Sequence, residues 1–135
     1  MVEGHDIRDF SLTTHVVHLP DGLGIHARVA DAAFWATADG SELATGRLVS
    51  VFSYDVTWDY QELHPTGDEL VYVLEGDVEL LLDRGEGERA RQLARGRAAV
   101  IPAGCWHRVA VHARATLLFV TPVPATTEHR SCRAG

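Results

Sequence analysis

Alternating apolar and polar positions predict that most of the chain forms β-strands. Residues 46–63 place apolar side chains at alternate positions, a pattern typical of a half-buried strand. Residues 69–83 form two short apolar runs around a turn centred on Gly76, which predicts a tight hairpin. Two later runs at 104–112 and 115–122 complete the series. Strands separated by glycine turns at intervals of roughly ten residues favour an all-β sandwich or barrel.

Three segments depart from the strand pattern. Residues 29–38 are good helix formers, and we predict a short helix or turn there. Residues 88–95 also favour helix, but they lie between two strand runs, so we interpret them as a strand from this context. Residues 125–135 have no periodicity and are predicted to fray or to lie along the surface.

Length and charge narrow the class of protein. A chain of 135 residues fits one domain, and we expect residues 1–135 to form it, with a barrel core at about 46–122 and a tail at 123–135. The formal net charge is −7, and all twelve cationic side chains are arginines. This acidity argues against binding to nucleic acid or anionic membrane. The chain has neither a membrane-length apolar run nor a signal-peptide pattern at its start, so we expect a cytoplasmic protein.

Candidate chemistry is concentrated in two short blocks. Glu62 and His64 point to the same side of a strand, and the turn that follows them can return Glu69 close to His64 as a hairpin. His107 follows a Pro-Ala-Gly turn and shares a strand face with two valines. Carboxylates and imidazoles on a buried face need a partner, and a metal ion can neutralise them together.

These blocks resemble the paired motifs of the cupin superfamily. The first motif, from its second histidine onward, matches Glu62-x-His64-x4-Glu69-x6-Gly76. The second motif, up to its histidine, matches Gly96-x5-Pro102-x-Gly104-x2-His107. The resemblance implies a small double-stranded β-helix (jelly-roll) barrel with a short N-terminal extension. It also implies the metal ligands Glu62, His64, Glu69 and His107.

The chain departs from the family pattern at three positions. Val56 replaces the opening glycine and Val111 the closing asparagine, and both changes concern turns and packing. Glu62 occupies the position of the first histidine, and it could ligate the metal, lie at the rim as a hydrogen-bonded carboxylate, or act as a general base. The alternative for His64, Glu69 and His107 is a hydrogen-bonded polar cluster without metal. The mixed nitrogen and oxygen ligands suit Mn²⁺, Fe²⁺, Ni²⁺ or Zn²⁺.

Several neighbouring residues have two interpretations. Trp58 and Tyr60 share the parity of Glu62 and could line the cavity mouth or simply pack in the core. Cys105 is interpreted as a small buried hydrophobe rather than a ligand or redox group. His112 is expected to face outward, and His129 falls in the tail with no role assigned.

Three functions remain open at this point. The first is a metalloenzyme that acts on a small oxygen-rich molecule, such as a dioxygenase, an isomerase or an epimerase. The alternatives are a non-catalytic domain that binds or senses a small ligand, and a barrel with a vestigial site that serves assembly. We expect a homodimer, because barrels of this type leave sheet edges and apolar faces that a second copy commonly covers.

Overall fold

The computed structural model describes residues 7–37, 43, 45–123 and 126–132. Within these ranges the chain forms strands and one short helix. In chain order they are β1 (His15–Leu19), β2 (His26–Val29), α1 (Ala32–Thr37), β3 (Arg47–Tyr54), β4 (Tyr60–Leu63), β5 (Glu69–Glu75), β6 (Asp77–Asp83), β7 (Glu88–Ala94), β8 (Ala98–Ile101), β9 (Trp106–Val111), β10 (Ala115–Pro122) and β11 (Glu128–Ser131).

The strands assemble into two antiparallel sheets. Sheet I has the order β2-β1-β3-β10-β5-β8, and sheet II has the order β11-β4-β9-β6-β7. Strands that are adjacent in sequence often lie in different sheets, as expected of a jelly roll. The predicted all-β jelly-roll fold is therefore confirmed.

The hydrophobic core lies between the two sheets. Val71 and Val73 of β5 contribute to it from sheet I, and Val78 and Leu80 of β6 contribute from sheet II. In β5 buried and partly exposed residues alternate from Glu69 to Val73, as the period of two predicts. Burying an aliphatic side chain of this kind stabilises the fold by about 1.5–3 kcal/mol.

The hairpin predicted around Gly76 is wrong, although both strands exist. β5 pairs with β8 and β10, whereas β6 pairs with β7 and β9, so the turn carries the chain from sheet I to sheet II. Gly76 has φ +82°, and a Cβ at this position would lie 2.8 Å from the carbonyl oxygen of Arg114. The alternation shows that one face of each strand is buried, but it does not show which strand is the neighbour.

The structure also tests the predictions for the segments 46–63, 29–38 and 88–95. The strand pattern of residues 46–63 is divided between β3 and β4. Of the helix or turn predicted at 29–38, residues 32–37 form the helix α1, while Val29 ends β2 and residue 38 lies outside the described residues. The Asp31 side chain caps α1 by accepting a hydrogen bond from the Phe34 backbone N–H at 2.8 Å. The strand interpretation of 88–95 is confirmed by β7, which pairs with β6 along its whole length.

For residues 128–131 of the tail, the alternative of lying along the surface is confirmed and fraying is wrong. This segment forms β11, which pairs antiparallel with β4 at the edge of sheet II. Its four residues are exposed, so the hydrophobic pattern contains no sign of the strand. Backbone pairing to β4 holds it in place. Among the described residues, no helix is long and apolar enough to cross a membrane.

Candidate metal centre

The two sheets together bring the four predicted ligands to one place. Glu62 lies in β4, His64 follows directly after that strand, and His107 lies in β9, all on the side of sheet II. Glu69 is the first residue of β5 in sheet I. One potential ligand atom from each residue lies within 4.8 Å of the others. The predicted convergence of His64 and Glu69 is confirmed, but they meet across the two sheets and not within a hairpin.

The Glu69 carboxylate lies between the two imidazoles. Its Oε1 is 3.1 Å from His107 Nε2, and its Oε2 is 3.2 Å from His64 Nε2. The three residues are only 1–3% exposed to solvent. Charged groups buried this deeply need compensation from close partners.

Neighbouring groups orient these three side chains. His107 Nδ1 lies 3.1 Å from the carbonyl oxygen of Cys105, which can only accept, so Nδ1–H donates and the neutral ring keeps its lone pair on Nε2. His64 Nδ1 is hydrogen bonded to Thr127 Oγ1 at 2.9 Å. Thr121 Oγ1 donates to Glu69 Oε2 at 2.7 Å. Such contacts fix the direction of ligand atoms at metal sites.

The atoms that face one another in this cluster have no hydrogen-bond partner among the described residues. They are His64 Nε2, Glu69 Oε1 and His107 Nε2, and all three are buried. The nitrogen–oxygen contacts have the distance of hydrogen bonds but not their alignment. Leaving buried polar atoms unpaired is costly. Two imidazole nitrogens and a carboxylate oxygen that converge in this way fit a divalent transition metal better than a self-contained polar cluster.

The electrostatics of the cluster keep Glu69 ionised. Burial acts to raise its pKa, but the contacts with His107 and His64 outweigh burial and lower the pKa to about 2. Burial acts to lower the pKa of His107, and the adjacent Glu69 carboxylate raises it above the usual histidine value. Glu69 therefore supplies a negative charge to the centre at neutral pH.

Glu62 lies farther from the centre of the cluster than the other three residues. Its Oε2 is 3.9 Å from both His64 Nε2 and His107 Nε2, and its side chain is 19% exposed. Burial and the charge of Glu69 raise the pKa of its carboxyl. The position is consistent with a more weakly held ligand and with a rim carboxylate, two of the alternatives that the sequence left open.

His129 is a residue of this site that the sequence interpretation missed. It lies opposite Glu62 in the β11–β4 register, and its Nε2 is 3.2 Å from Glu62 Oε1. Its position in an exposed strand without hydrophobic alternation gave no sign of this contact.

The ligand cluster opens into a cavity of about 520 Å³. Trp58 and Tyr60 line it, as predicted from their parity, and their rings stack with centroids 5.1 Å apart. Trp58 is also part of the hydrophobic core, so both interpretations of this residue hold. The cavity gives a small molecule access to the ligand cluster.

The other candidate residues lie where the sequence predicts. Cys105 is 2% exposed within the hydrophobic core, which agrees with its interpretation as a buried hydrophobe. The His112 side chain is 76% exposed and contacts Glu79 on the outside of sheet II.

The fold and the site geometry agree with a comparison to known families. The family model described as a cupin domain matches residues 57–121, which include all four candidate ligands. The chain contains a cupin domain. A search of the curated proteins found no match to the chain.

Several solved structures are similar to this chain at low sequence identity. A protein from Bacillus halodurans is 24% identical with a TM-score of 0.50, over 58% of this chain and 63% of its own. A cupin-2 domain containing protein from Shewanella frigidimarina is 20% identical with a TM-score of 0.49, over 56% and 70% of the two chains. Hydroquinone 1,2-dioxygenase from Sphingomonas sp. TTNP3, solved with 4-hydroxybenzoate bound, is 19% identical with a TM-score of 0.48, over 56% and 59%. At 24% identity, the likeness to the Bacillus halodurans protein concerns the fold alone.

Proposed function

We propose that this cupin domain is a metalloenzyme that acts on a small oxygen-rich molecule through a divalent transition metal, one of Mn, Fe, Ni or Zn. The observation that carries this proposal is the set of buried, unpartnered ligand atoms on His64, Glu69 and His107 beside a cavity of about 520 Å³. Reactions such as dioxygenation, isomerisation or epimerisation suit such a site. When bound, the metal supplies Lewis-acid polarisation of a substrate oxygen, or oxygen chemistry if it is iron.

The side chains at this centre would have different roles. His64, His107 and Glu69 would hold the metal, with their orientations fixed by Thr127, the Cys105 carbonyl and Thr121. Glu62 would complete the set as the fourth, more distant ligand. The aromatic residues of the cavity wall would orient the substrate and keep bulk water from the reacting atoms.

Metal analysis of two matched histidine variants tests the ligand assignment. Protein purified without added metal is expected to carry about one equivalent of a transition metal, or to take it up on reconstitution. His107→Ala is expected to lose this metal and stay folded, whereas His112→Ala, at the exposed histidine that directly follows β9, keeps it. Less than roughly 0.1 equivalent in the reconstituted wild type, or unchanged metal in His107→Ala, contradicts the proposal.

Turnover separates an enzyme from a binding domain. We expect the metal-loaded protein to convert at least one member of a panel of hydroxy acids, sugars and diketones. Shifts in melting temperature with these compounds, without any conversion, would instead support the non-catalytic binding domain. The homodimer and the cytoplasmic location stay predictions from the sequence.

A further inference from the structure

One wall of the cavity is a continuous series of aromatic rings. Consecutive ring centroids lie 5.1–6.2 Å apart along the series Trp35, Phe52, Tyr54, Trp58 and Tyr60. The series begins at Trp35, which is 38% exposed, and includes the buried Trp58, whose ring lies 6.5 Å from that of His107. The wall therefore runs from the surface to the ligand cluster.

This wall offers aromatic faces and edges to which the ring of a ligand could pack. Aromatic rings prefer offset-stacked or edge-to-face neighbours at centroid distances of about 4.5–7 Å, the range in which the wall residues already contact one another. A cavity of roughly 150 Å³ is large enough for benzene. A volume of about 520 Å³ therefore has room for a ring together with its substituents.

The charges around the cavity favour an uncharged ligand. The described residues that line it include Glu62 and Glu69 but no arginine, and the chain has no lysine. Once the two carboxylates are balanced by a divalent ion, a carboxylate or phosphate on the ligand finds no arginine or lysine among these residues.

We propose that the cavity selects an uncharged molecule built on an aromatic ring and carrying metal-chelating oxygens. The ring lies against the aromatic wall, and the oxygens face His64, Glu69 and His107. This inference rests on the proposed metal site and names its substrate class. Catechols and aromatic hydroxyketones belong to this class.

Three hydroxamic acids with the same chelating group test the selection. Benzohydroxamic acid carries an aromatic ring, cyclohexanecarbohydroxamic acid a saturated one, and 4-carboxybenzohydroxamic acid adds a negative charge. Calorimetric titration into the zinc-loaded protein is expected to show that the first binds roughly threefold to tenfold more tightly than the second. The third is expected to bind more weakly than the first. Equal affinities for the first two, or tightest binding of the third, would overturn the inference.

Two tyrosine variants test whether the aromatic wall causes the preference for the aromatic probe. Tyr60→Leu removes one ring of the stacked pair formed with Trp58. It is expected to bring the ratio of the affinities for benzohydroxamic acid and cyclohexanecarbohydroxamic acid close to one. Tyr72→Leu is the control, because Tyr72 lies on β5 and is not among the residues that line the cavity. If Tyr60→Leu does not fold, Trp35→Leu at the partly exposed mouth replaces it. A ratio that stays at the wild-type value in the wall variant contradicts the inference.

Zinc content, measured before each titration, separates the two proposals. A wild-type protein that takes up no zinc overturns the proposed metal site and, with it, this inference. A protein that binds zinc and shows no preference for the aromatic probe overturns the substrate class alone.

Discussion

Glu62 presents its two carboxylate oxygens to different neighbours. Oε2 faces His64 and His107 at 3.9 Å, and Oε1 lies 3.2 Å from Nε2 of His129. The three residues Glu62, His107 and His129 lie side by side on neighbouring strands, because Glu62 pairs with His107 on one side and with His129 on the other. His129 is thus placed to hold one oxygen of Glu62 while the other faces the ligand cluster.

Removing the His129 ring is expected to weaken metal binding without removing a ligand. Outer residues that orient metal ligands contribute roughly tenfold or more to affinity, so we expect His129→Ala to raise the zinc dissociation constant about tenfold. His129→Gln keeps an N–H donor near Glu62 Oε1 and is expected to recover most of the affinity. Competition with a chromophoric chelator measures both constants. Equal affinities of His129→Ala and the wild type would show that Glu62 needs no such support.

The sequence was enough to predict which residues form strands and which face of a strand is buried, because these features depend on one strand alone. The spacing of His107 and Val109 fixed them on one buried face, and both are 1% exposed. Pairing between strands was not predictable, since a period of two shows which side is buried and not which strand covers it. The turn at Gly76 shows this limit, because the two strands it joins lie in different sheets. His129 shows a second limit, because the exposed edge strand that contains it has no hydrophobic pattern.

Because the chain crosses between the two sheets at Gly76, a side chain at this position is expected to lower the stability of the fold strongly. Gly76→Ala combines a left-handed backbone with a Cβ only 2.8 Å from Arg114 O and 3.1 Å from Ala115, and we expect it to lower the free energy of unfolding by about 2–4 kcal/mol. Gly85→Ala is the matched control, because Gly85 has φ +103° and open space around its Cβ position. Its expected cost is about 1–2 kcal/mol from the backbone alone. Urea unfolding measures both, and equal losses would argue against crowding at the crossover.

At the scale of the whole molecule, the candidate metal centre connects the two sheets. Glu69 belongs to sheet I, whereas Glu62 and His107 belong to sheet II and His64 directly follows a strand of sheet II. The same two sheets enclose the hydrophobic core, so the ligands hold their relative positions only while the sheets stay packed. A bound ion therefore favours the folded state, since the unfolded chain does not keep the four residues together.

Zinc is accordingly expected to stabilise the protein against urea. At a free concentration one hundred times the dissociation constant, one-site linkage predicts a gain of about 2.7 kcal/mol in the free energy of unfolding. Glu69→Gln is expected to lose most of this gain at the same zinc concentration, because it removes the charged ligand that sheet I contributes. His112→Gln, outside the centre, is expected to keep the gain. Each variant is compared with its own metal-free form, so that its effect on the unliganded fold does not enter. A full gain in Glu69→Gln would mean that zinc binds without the ligand from sheet I, and the centre would then belong to sheet II alone.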